Sequence, residues 1–353
     1  MSTVPAPPAK PRTGGLRNLT LALIALLAIA ALAYALRSRL HIDWTSLLQQ
    51  FHAVSWLRVG IGIVLIYLCF VLRAARWSVL LAPMRKASLR DLLPAQILGF
   101  TGVAIFGRVA DLARPYMIAR RTSTPVTTQI AIYSIERAFD LAAAATLFSL
   151  ALAFAPRSTP HHDAFARAGI LSLALTLALA LIALSIRLAG HRLAQLIERL
   201  LQPVSASLAS KLAARILDLQ KGFGAISSFS EFALAMSLSL IMWAGIAGCY
   251  LMGATAFRAT PQLANFSISA TMLVMATGMG GSIVQLPILG WFTQVALFAA
   301  TMHALFGVPL ETATACAAMI FTMTNLSVIP GGLLTAQIEG IGLRETVVLR
   351  NTP

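Results

Sequence analysis

The stretch GRVADLARPY follows a run of apolar residues and contains Arg108, Asp111 and Arg114. These residues are spaced by three positions, so a helix would place them in one stripe, with the acid between the two arginines. A guanidinium group presents a planar fork of N–H donors that suits phosphate oxygens. The stretch therefore carries donors for a phosphate group, such as that of a lipid headgroup if the chain lies in a membrane.

A second charged stretch, SIERAFDL, contains Glu136, Arg137 and Asp140. The two acids are four positions apart and share a helix face, and Arg137 precedes Asp140 by three positions. This stretch has a net negative charge and the first has a net positive charge, so docking them would neutralise both. Two interpretations follow, and they are compatible: a buried ion-pair network that fixes one element against the next, or a polar cavity that receives a headgroup.

The elements that hold these charges are predicted to lie in a membrane. The chain has 353 residues, of which 58% are hydrophobic and only 11% are charged. A charge at membrane depth costs at least about 2.5 kcal/mol and is expected to be paired or to face a cavity. Apolar runs occur at 19–36, 59–72, 97–106, 130–154, 168–188, 232–257, 266–288 and 292–334, the last with an interruption at GVPLE.

These runs predict an all-α fold, a polytopic integral membrane bundle of about seven to nine segments. Each half of the chain contains an apolar run broken by small residues, TGVAIFGRVA and MATGMGGSIVQLPILG. Paired interruptions of this kind suggest one or two re-entrant or broken helices and an inverted repeat.

The net charge of +15 does not indicate nucleic-acid binding, because the basic residues are spread over short loops. With a cytoplasmic N-terminus, most of them fall on the inner side, where Arg73, Arg76 and the run 85–90 would form one loop. Both 85–90 and 120–121 favour the cytoplasm, so residues 89–121 are predicted to enter and leave on the same side. The tip of this re-entrant hairpin would lie near 106–108.

The predicted organisation has five parts. A disordered basic tail (1–18) precedes a first membrane half (19–186) that begins with an uncleaved anchor and contains the hairpin. Residues 187–231 are predicted to form cytoplasmic amphipathic helices, which either lie on the membrane interface or pack as a hairpin on the protein. A second membrane half (232–334) and a polar C-terminal tail (335–353) follow.

Weaker site candidates lie in the second half. Gln285 and Gln294 are neutral polar residues that could line a cavity or form hydrogen bonds between helices. No nucleotide loop, hydrolase motif or spaced set of metal ligands is present in the sequence, so neither a cofactor nor a metal is expected.

The two charged stretches, in this order and at this spacing, resemble the transmembrane family of lysylphosphatidylglycerol synthases, also described as flippase-like. Arg108, Arg114 and Pro115 match its first motif, in which Asp111 replaces the usual Glu and Ala110 the usual Gly. Glu136, Arg137 and Asp140 match its second motif. Towards the C-terminus LPILGWFTQ keeps Pro287 and Gly290, but Thr293 and Gln294 stand where the family has an acid.

The resemblance implies a membrane domain that moves aminoacylated or otherwise polar phospholipids between leaflets. A soluble synthetase domain, which some relatives carry, is not expected in this chain. The headgroup site would consist of Arg108, Asp111, Arg114, Glu136, Arg137 and Asp140, with Gln285, Pro287 and Gln294 as weaker candidates.

The expected location is the bacterial inner membrane, and the expected partners are anionic or aminoacylated phospholipids and lipid-synthesis enzymes, not nucleic acid. Lipid transport is the first hypothesis, and enzymatic activity is not expected under it. One alternative is a headgroup transferase in which Glu136 or Asp140 acts as a general base or a metal ligand. Another is a non-catalytic subunit of a lipid-synthesis pathway, in which the charges are structural.

Overall fold

The protein is represented by a computed structural model that describes residues 53–155, 157, 162–203, 205–223, 228–281 and 289–339. These residues form helices and connecting turns, and they contain no strand. Several predicted parts lie outside the described residues: the N-terminal tail, the first segment, Gln285, Pro287 and most of the C-terminal tail.

The described helices are, in chain order, α1 Trp56–Leu81, α2 Leu89–Phe106, a 3₁₀ helix Arg108–Leu112, α3 Ala113–Thr122, α4 Val126–Ala153, α5 His162–Leu201, α6 Ala206–Phe223, α7 Phe229–Thr255, the short α8 Pro261–Ala264, α9 Ile268–Gly281, α10 Leu289–Phe306, α11 Leu310–Phe321, a π-helical turn Thr322–Leu326 and α12 Val328–Ile338.

Three long, apolar helices, α1 and α4 of the first half and α7 at the start of the second, pack together beside the hairpin region. Helices α1 and α7 pack along much of their length, with Cys69 and Cys249 buried between them. A buried core beneath α2 and α3 contains Trp77 of α1, Leu92 of α2 and Ile132 of α4. The long helices therefore form a fixed base for the charged stretch that follows α2.

Helix α2, the 3₁₀ helix and α3 form a hairpin. Ser88 and Asp91 begin α2 with a capping box, in which the Asp91 carboxylate accepts from the Ser88 N–H at 3.0 Å. The helix ends at Gly107, whose φ of 77° is a left-handed conformation that glycine adopts readily. The chain then reverses through the 3₁₀ helix. The break falls at the position that the sequence predicted for the tip, while the re-entrant path through the membrane stays a prediction.

Helices α5 and α6 form a second hairpin. Helix α5 runs through residue 187 without ending, but Ala189 has non-helical angles (φ −133°, ψ 25°). Beyond this kink α5 packs on α6 through a small cluster of Ala194, Ala213 and Ile216. The two amphipathic helices thus pack on each other, on either side of a turn at Pro203.

The C-terminal helices join the hairpin region through the backbone of the π-helical turn and of α12. The Tyr67 hydroxyl of α1 donates to the carbonyl of Ser327 at 2.8 Å, and the Thr101 hydroxyl of α2 donates to that of Val328 at 3.2 Å. The predicted interruption at GVPLE is confirmed, because α10 ends at Phe306 and α11 begins at Leu310.

The predicted fold class is confirmed: the described chain is a helical bundle of membrane character. Four stretches within it are long and apolar enough to cross a membrane, namely Trp56–Leu81, Leu89–Phe106, Phe229–Thr255 and Leu310–Ile338. The total of seven to nine segments, the domain boundaries and the inverted repeat stay predictions.

Candidate functional site

A buried cluster of ion pairs lies where α1, α2, α3, α4 and α7 meet. Four guanidinium groups (Arg73, Arg76, Arg114 and Arg137) are within 4 Å of three carboxylates (Asp111, Glu136 and Asp140) in the described residues. We call this set the charged cluster. It unites five of the six predicted headgroup residues with two arginines of α1.

Arg76 forms the shortest hydrogen bonds of the four guanidinium groups among the described residues. Its Nη2 donates to Glu136 Oε1 at 2.8 Å, and its Nη1 donates to Asp140 Oδ1 and to the Ser239 hydroxyl, each at 2.7 Å. The Trp243 indole N–H of α7 also donates to Asp140 Oδ1, at 3.2 Å. Because Arg76 is 1% exposed, it holds α1, α4 and α7 together through bonds that are shielded from solvent.

Arg114 connects the hairpin to Glu136, one of the two carboxylates that Arg76 also binds. Its Nε donates to Asp111 Oδ1 at 3.0 Å, and its Nη1 donates to Gln96 Oε1 at 2.9 Å and approaches Glu136 Oε2 at 3.3 Å. The Tyr133 hydroxyl donates to the second oxygen of Asp111 at 2.6 Å. The i, i+3 spacing of Asp111 and Arg114 thus makes an ion pair between the 3₁₀ helix and α3, and the contacts with Tyr133 and Glu136 brace this pair against α4.

Aromatic rings separate the guanidinium groups. The Phe100 ring lies 4.7 Å from Arg73 Cζ and 4.6 Å from Arg114 Cζ, and the Tyr133 ring lies 5.3 Å from Arg114 Cζ and 5.1 Å from Arg137 Cζ. A ring face attracts a cation and carries no hydrogen-bonding group of its own. The rings therefore keep three arginines apart without neutralising them.

Arg73 and Arg137 are the loosely held members. Arg73 Nη1 is 3.7 Å from Glu136 and 3.6 Å from Asp140, and it has no hydrogen-bond partner among the described residues. Arg137 forms longer pairs of 3.1 and 3.3 Å with the same two acids, and its side chain is 40% exposed. The charged cluster is consequently closed around Arg76 and Arg114 and open at Arg137.

The remaining predicted site residues lie elsewhere. Arg108 is exposed in the 3₁₀ helix, unlike the buried Arg114. Gln294 is buried in α10, which packs on α9 and α11 and supplies none of the charged cluster. Its Oε1 has no hydrogen-bond partner within the described part of the chain. Gln285 and Pro287 fall outside the described residues.

The prediction that Arg73 and Arg76 belong to a cytoplasmic loop is wrong. The apolar run was taken to end at residue 72, but α1 continues to Leu81 and buries both side chains. Trp77, Leu80 and Leu81 gave the signal that the helix continues, because apolar residues recur there at helical spacing. Two arginines within an apolar helix would then have required partners.

A comparison with protein families identifies the family of this chain. The family described as "Lysylphosphatidylglycerol synthase TM region" matches residues 19–332, which is most of the chain. The protein belongs to this family. No significant match was found among curated proteins or among solved structures. The match confirms the resemblance inferred from the two charged stretches, and in this member of the lysylphosphatidylglycerol synthase TM region family both stretches lie in one cluster.

Proposed function

We propose that this protein moves a polar lipid between the leaflets of the bacterial inner membrane, and that the charged cluster binds the lipid headgroup. The observation that carries the proposal is the charge balance of the cluster. Four guanidinium groups face three carboxylates among the described residues, which leaves one positive charge in excess. An uncompensated charge away from water is costly, so an anionic ligand would stabilise the site.

The two loosely held arginines are the proposed headgroup donors. Arg76 and Arg114 each form hydrogen bonds of 3.0 Å or less through two of their nitrogens, whereas Arg73 Nη1 has no hydrogen-bond partner among the described residues and Arg137 is accessible. A phosphate group between the latter two would form charge-assisted hydrogen bonds and offset the excess charge. The preferred cargo is therefore an anionic or aminoacylated phospholipid, which presents a phosphate to these donors.

The surroundings of the carboxylates favour transport over headgroup chemistry. Glu136 is within 4 Å of four guanidinium groups and Asp140 is within 4 Å of three, and these groups stabilise the carboxylate anions. A general base must accept a proton from the substrate, and an anion stabilised in this way is a poor acceptor. We accordingly propose that these acids hold the arginines in position.

The proposal is tested in liposomes that contain the purified full-length protein and an acyl-chain-labelled phosphatidylglycerol. A membrane-impermeant reductant bleaches the label in the outer leaflet, so transport accelerates the loss of the remaining signal. We expect this acceleration with the protein and a roughly tenfold slower rate in Arg137→Gln, because a lost charged hydrogen bond is worth about 1.5 kcal/mol. Arg258→Gln, an exposed arginine outside the cluster, is the matched control.

Several outcomes would contradict the proposal. One is an absence of acceleration with anionic, aminoacylated and zwitterionic lipids alike, while the protein remains folded. Another is equal slowing by Arg137→Gln and Arg258→Gln. The appearance of a new lipid species in mass spectra would instead support the transferase alternative.

A further inference from the structure

The α5–α6 hairpin begins where helix α5 leaves the helical bundle. The first part of α5 packs on α4, where the hydroxyls of Ser149 and Ser172 are hydrogen-bonded and Gly169 lies against the backbone of Leu152 and Ala153. The part beyond the kink at Ala189 packs on α6 instead. Helix α5 thus packs on α4 before the kink and on α6 after it, and it changes direction between the two.

The length of α5 locates this change of direction. From His162 to Ala189 the helix rises about 40 Å at 1.5 Å per residue, which is the thickness of a bilayer including its headgroups. The apolar run 168–188, which the sequence predicts to be a membrane segment, lies within this part of α5. If α5 starts at one membrane surface, it therefore reaches the other surface near the kink. The α5–α6 hairpin accordingly begins at the level of the headgroups.

Exposed leucines follow one edge of each helix in this hairpin. Leu196 and Leu200 of α5 are 52% and 65% exposed, and Leu208 and Leu212 of α6 are 49% and 40% exposed. At 3.6 residues per turn, these leucines lie roughly 0.3 to 0.45 of a turn from the buried Ala194 or Ala213 of the same helix. Because α5 and α6 run antiparallel, the two edges point to the same side. We call this side the leucine face.

Basic residues flank the leucine face. Arg192 and Arg199 lie beside the leucine edge of α5, and Lys211 lies beside that of α6, all of them exposed. The opposite face of the hairpin instead carries Glu198 and Ser210. An apolar surface with cationic margins and a polar back is the pattern of helices that lie in the headgroup layer.

We propose that the leucine face binds the cytoplasmic surface of the membrane, with the leucines at the acyl boundary and Arg192, Arg199 and Lys211 on the phosphates of anionic lipids. The charge pattern selects this partner, because each basic side chain near an anionic bilayer adds to the attraction. This binding holds the hairpin flat against the bilayer, so that the hairpin does not project into solvent. It is independent of the lipid-transport function.

The proposal is tested with an environment-sensitive fluorophore on single introduced cysteines in the full-length protein, reconstituted in liposomes. The three native cysteines are buried, so the label goes to the introduced site. We expect Leu200→Cys to give blue-shifted emission that spin-labelled lipids quench, and Ser210→Cys on the back of the hairpin to be quenched by aqueous iodide. The lipid quenching at position 200 is expected to be stronger in anionic than in zwitterionic bilayers.

A variant without the three basic residues shows whether these residues bind anionic lipids or the leucine face only lies near the bilayer. Replacing Arg192, Arg199 and Lys211 together by Gln is expected to reduce the lipid quenching at position 200 in anionic bilayers to its zwitterionic level. Iodide quenching at position 200 equal to that at position 210 would overturn the proposal. Shielding of position 200 from both quenchers would also overturn it, because a protein surface would then cover the leucine face.

Discussion

Arg76 determines how the acids of α4 are held. A single guanidinium reaches Glu136, Asp140 and Ser239. The loss of this side chain leaves Asp140 with only the loosely held Arg73 and Arg137, and leaves Glu136 without its shortest ion pair. Removing one partner of a buried ion pair lowers the stability much more than replacing both partners by apolar residues, because the remaining charge stays buried away from water. The stability of the bundle at this point therefore depends on the short, buried bonds of Arg76 more than on the net charge of the cluster.

Arg76→Met is expected to lower the free energy of unfolding by about 3 kcal/mol, because it leaves Glu136 and Asp140 buried without their best partner. Thermal unfolding of the purified protein in detergent measures the change. Adding Asp140→Asn to Arg76→Met should recover part of the loss, since one of the orphaned charges disappears. Arg90→Met, an exposed arginine of α2, is the control. Equal melting temperatures for Arg76→Met and Arg90→Met would contradict the prediction.

The residues of the charged cluster were predicted from the sequence in part. Arg114, Glu136 and Asp140 stood out because charges at helical spacing in an apolar chain require partners. Gln96 and Ser239 gave no such signal, since neutral polar side chains are common in membrane helices and only the packing of α2 and α7 brings them to the arginines. Spacing along one helix cannot show which neighbouring helix supplies the partner.

At the scale of elements, the α2–α3 hairpin depends on a close approach between its two arms. Gly99 of α2 lies against the Arg114 side chain, and a Cβ at this position would overlap the aliphatic part of that arginine. Arg114 is fully buried and bonded at both ends of its guanidinium, so it cannot move aside. The glycine therefore sets the distance between α2 and α3 and the position of Arg114.

Gly99→Ala is expected to destabilise the protein by about 1–3 kcal/mol, because it forces Arg114 away from Asp111 and Glu136. Gly102→Ala is the matched control in the same helix, since its Cβ would meet only Ala110 Cβ at an acceptable 3.4 Å. Alanine in place of glycine also favours a helix, so Gly102→Ala should leave the melting temperature unchanged or raise it. A Gly99→Ala protein as stable as Gly102→Ala would show that the arms can separate.

Sequence periodicity predicted the break near Phe106 and the turn at Pro203, because glycine and proline change the backbone locally. It did not predict the kink at Ala189 or the π-helical turn Thr322–Leu326. Gly190 directly follows Ala189 and is a signal for the kink that the prediction did not use, whereas the π-helical turn contains neither glycine nor proline. Such distortions arise where tertiary packing overrides helical propensity, and a single sequence does not reveal that packing.

At the scale of the whole molecule, the ends of the hairpin and of the C-terminal helix lie together. Arg121, at the end of α3, forms an ion pair with Glu339, directly after α12. Thr101 and Val328 join the same two regions further along. If the hairpin enters and leaves the membrane on one side, this pair places the end of α12 on that side as well. The described part of the C-terminal tail would then begin in the cytoplasm.

Membrane-impermeant thiol labelling in oriented vesicles tests this topology, because Cys69, Cys249 and Cys316 are buried and add little background. Lys86→Cys before α2 and Arg120→Cys at the end of α3 are both exposed, and we expect both to react from the cytoplasmic side. Arg157→Cys and Arg258→Cys, in the connections predicted to face outwards, should react from the opposite side only.

The same experiment separates a re-entrant hairpin from a spanning helix. Helix α2 is long enough to cross a bilayer, whereas the ten residues of α3 are not, at 1.5 Å per residue. A re-entrant pair keeps positions 86 and 120 on one side, and a spanning α2 puts position 120 within or beyond the membrane. Labelling of Lys86→Cys and Arg120→Cys from opposite sides would therefore contradict the hairpin. It would also move Glu339 to the outer surface, because its ion pair with Arg121 fixes the two ends together.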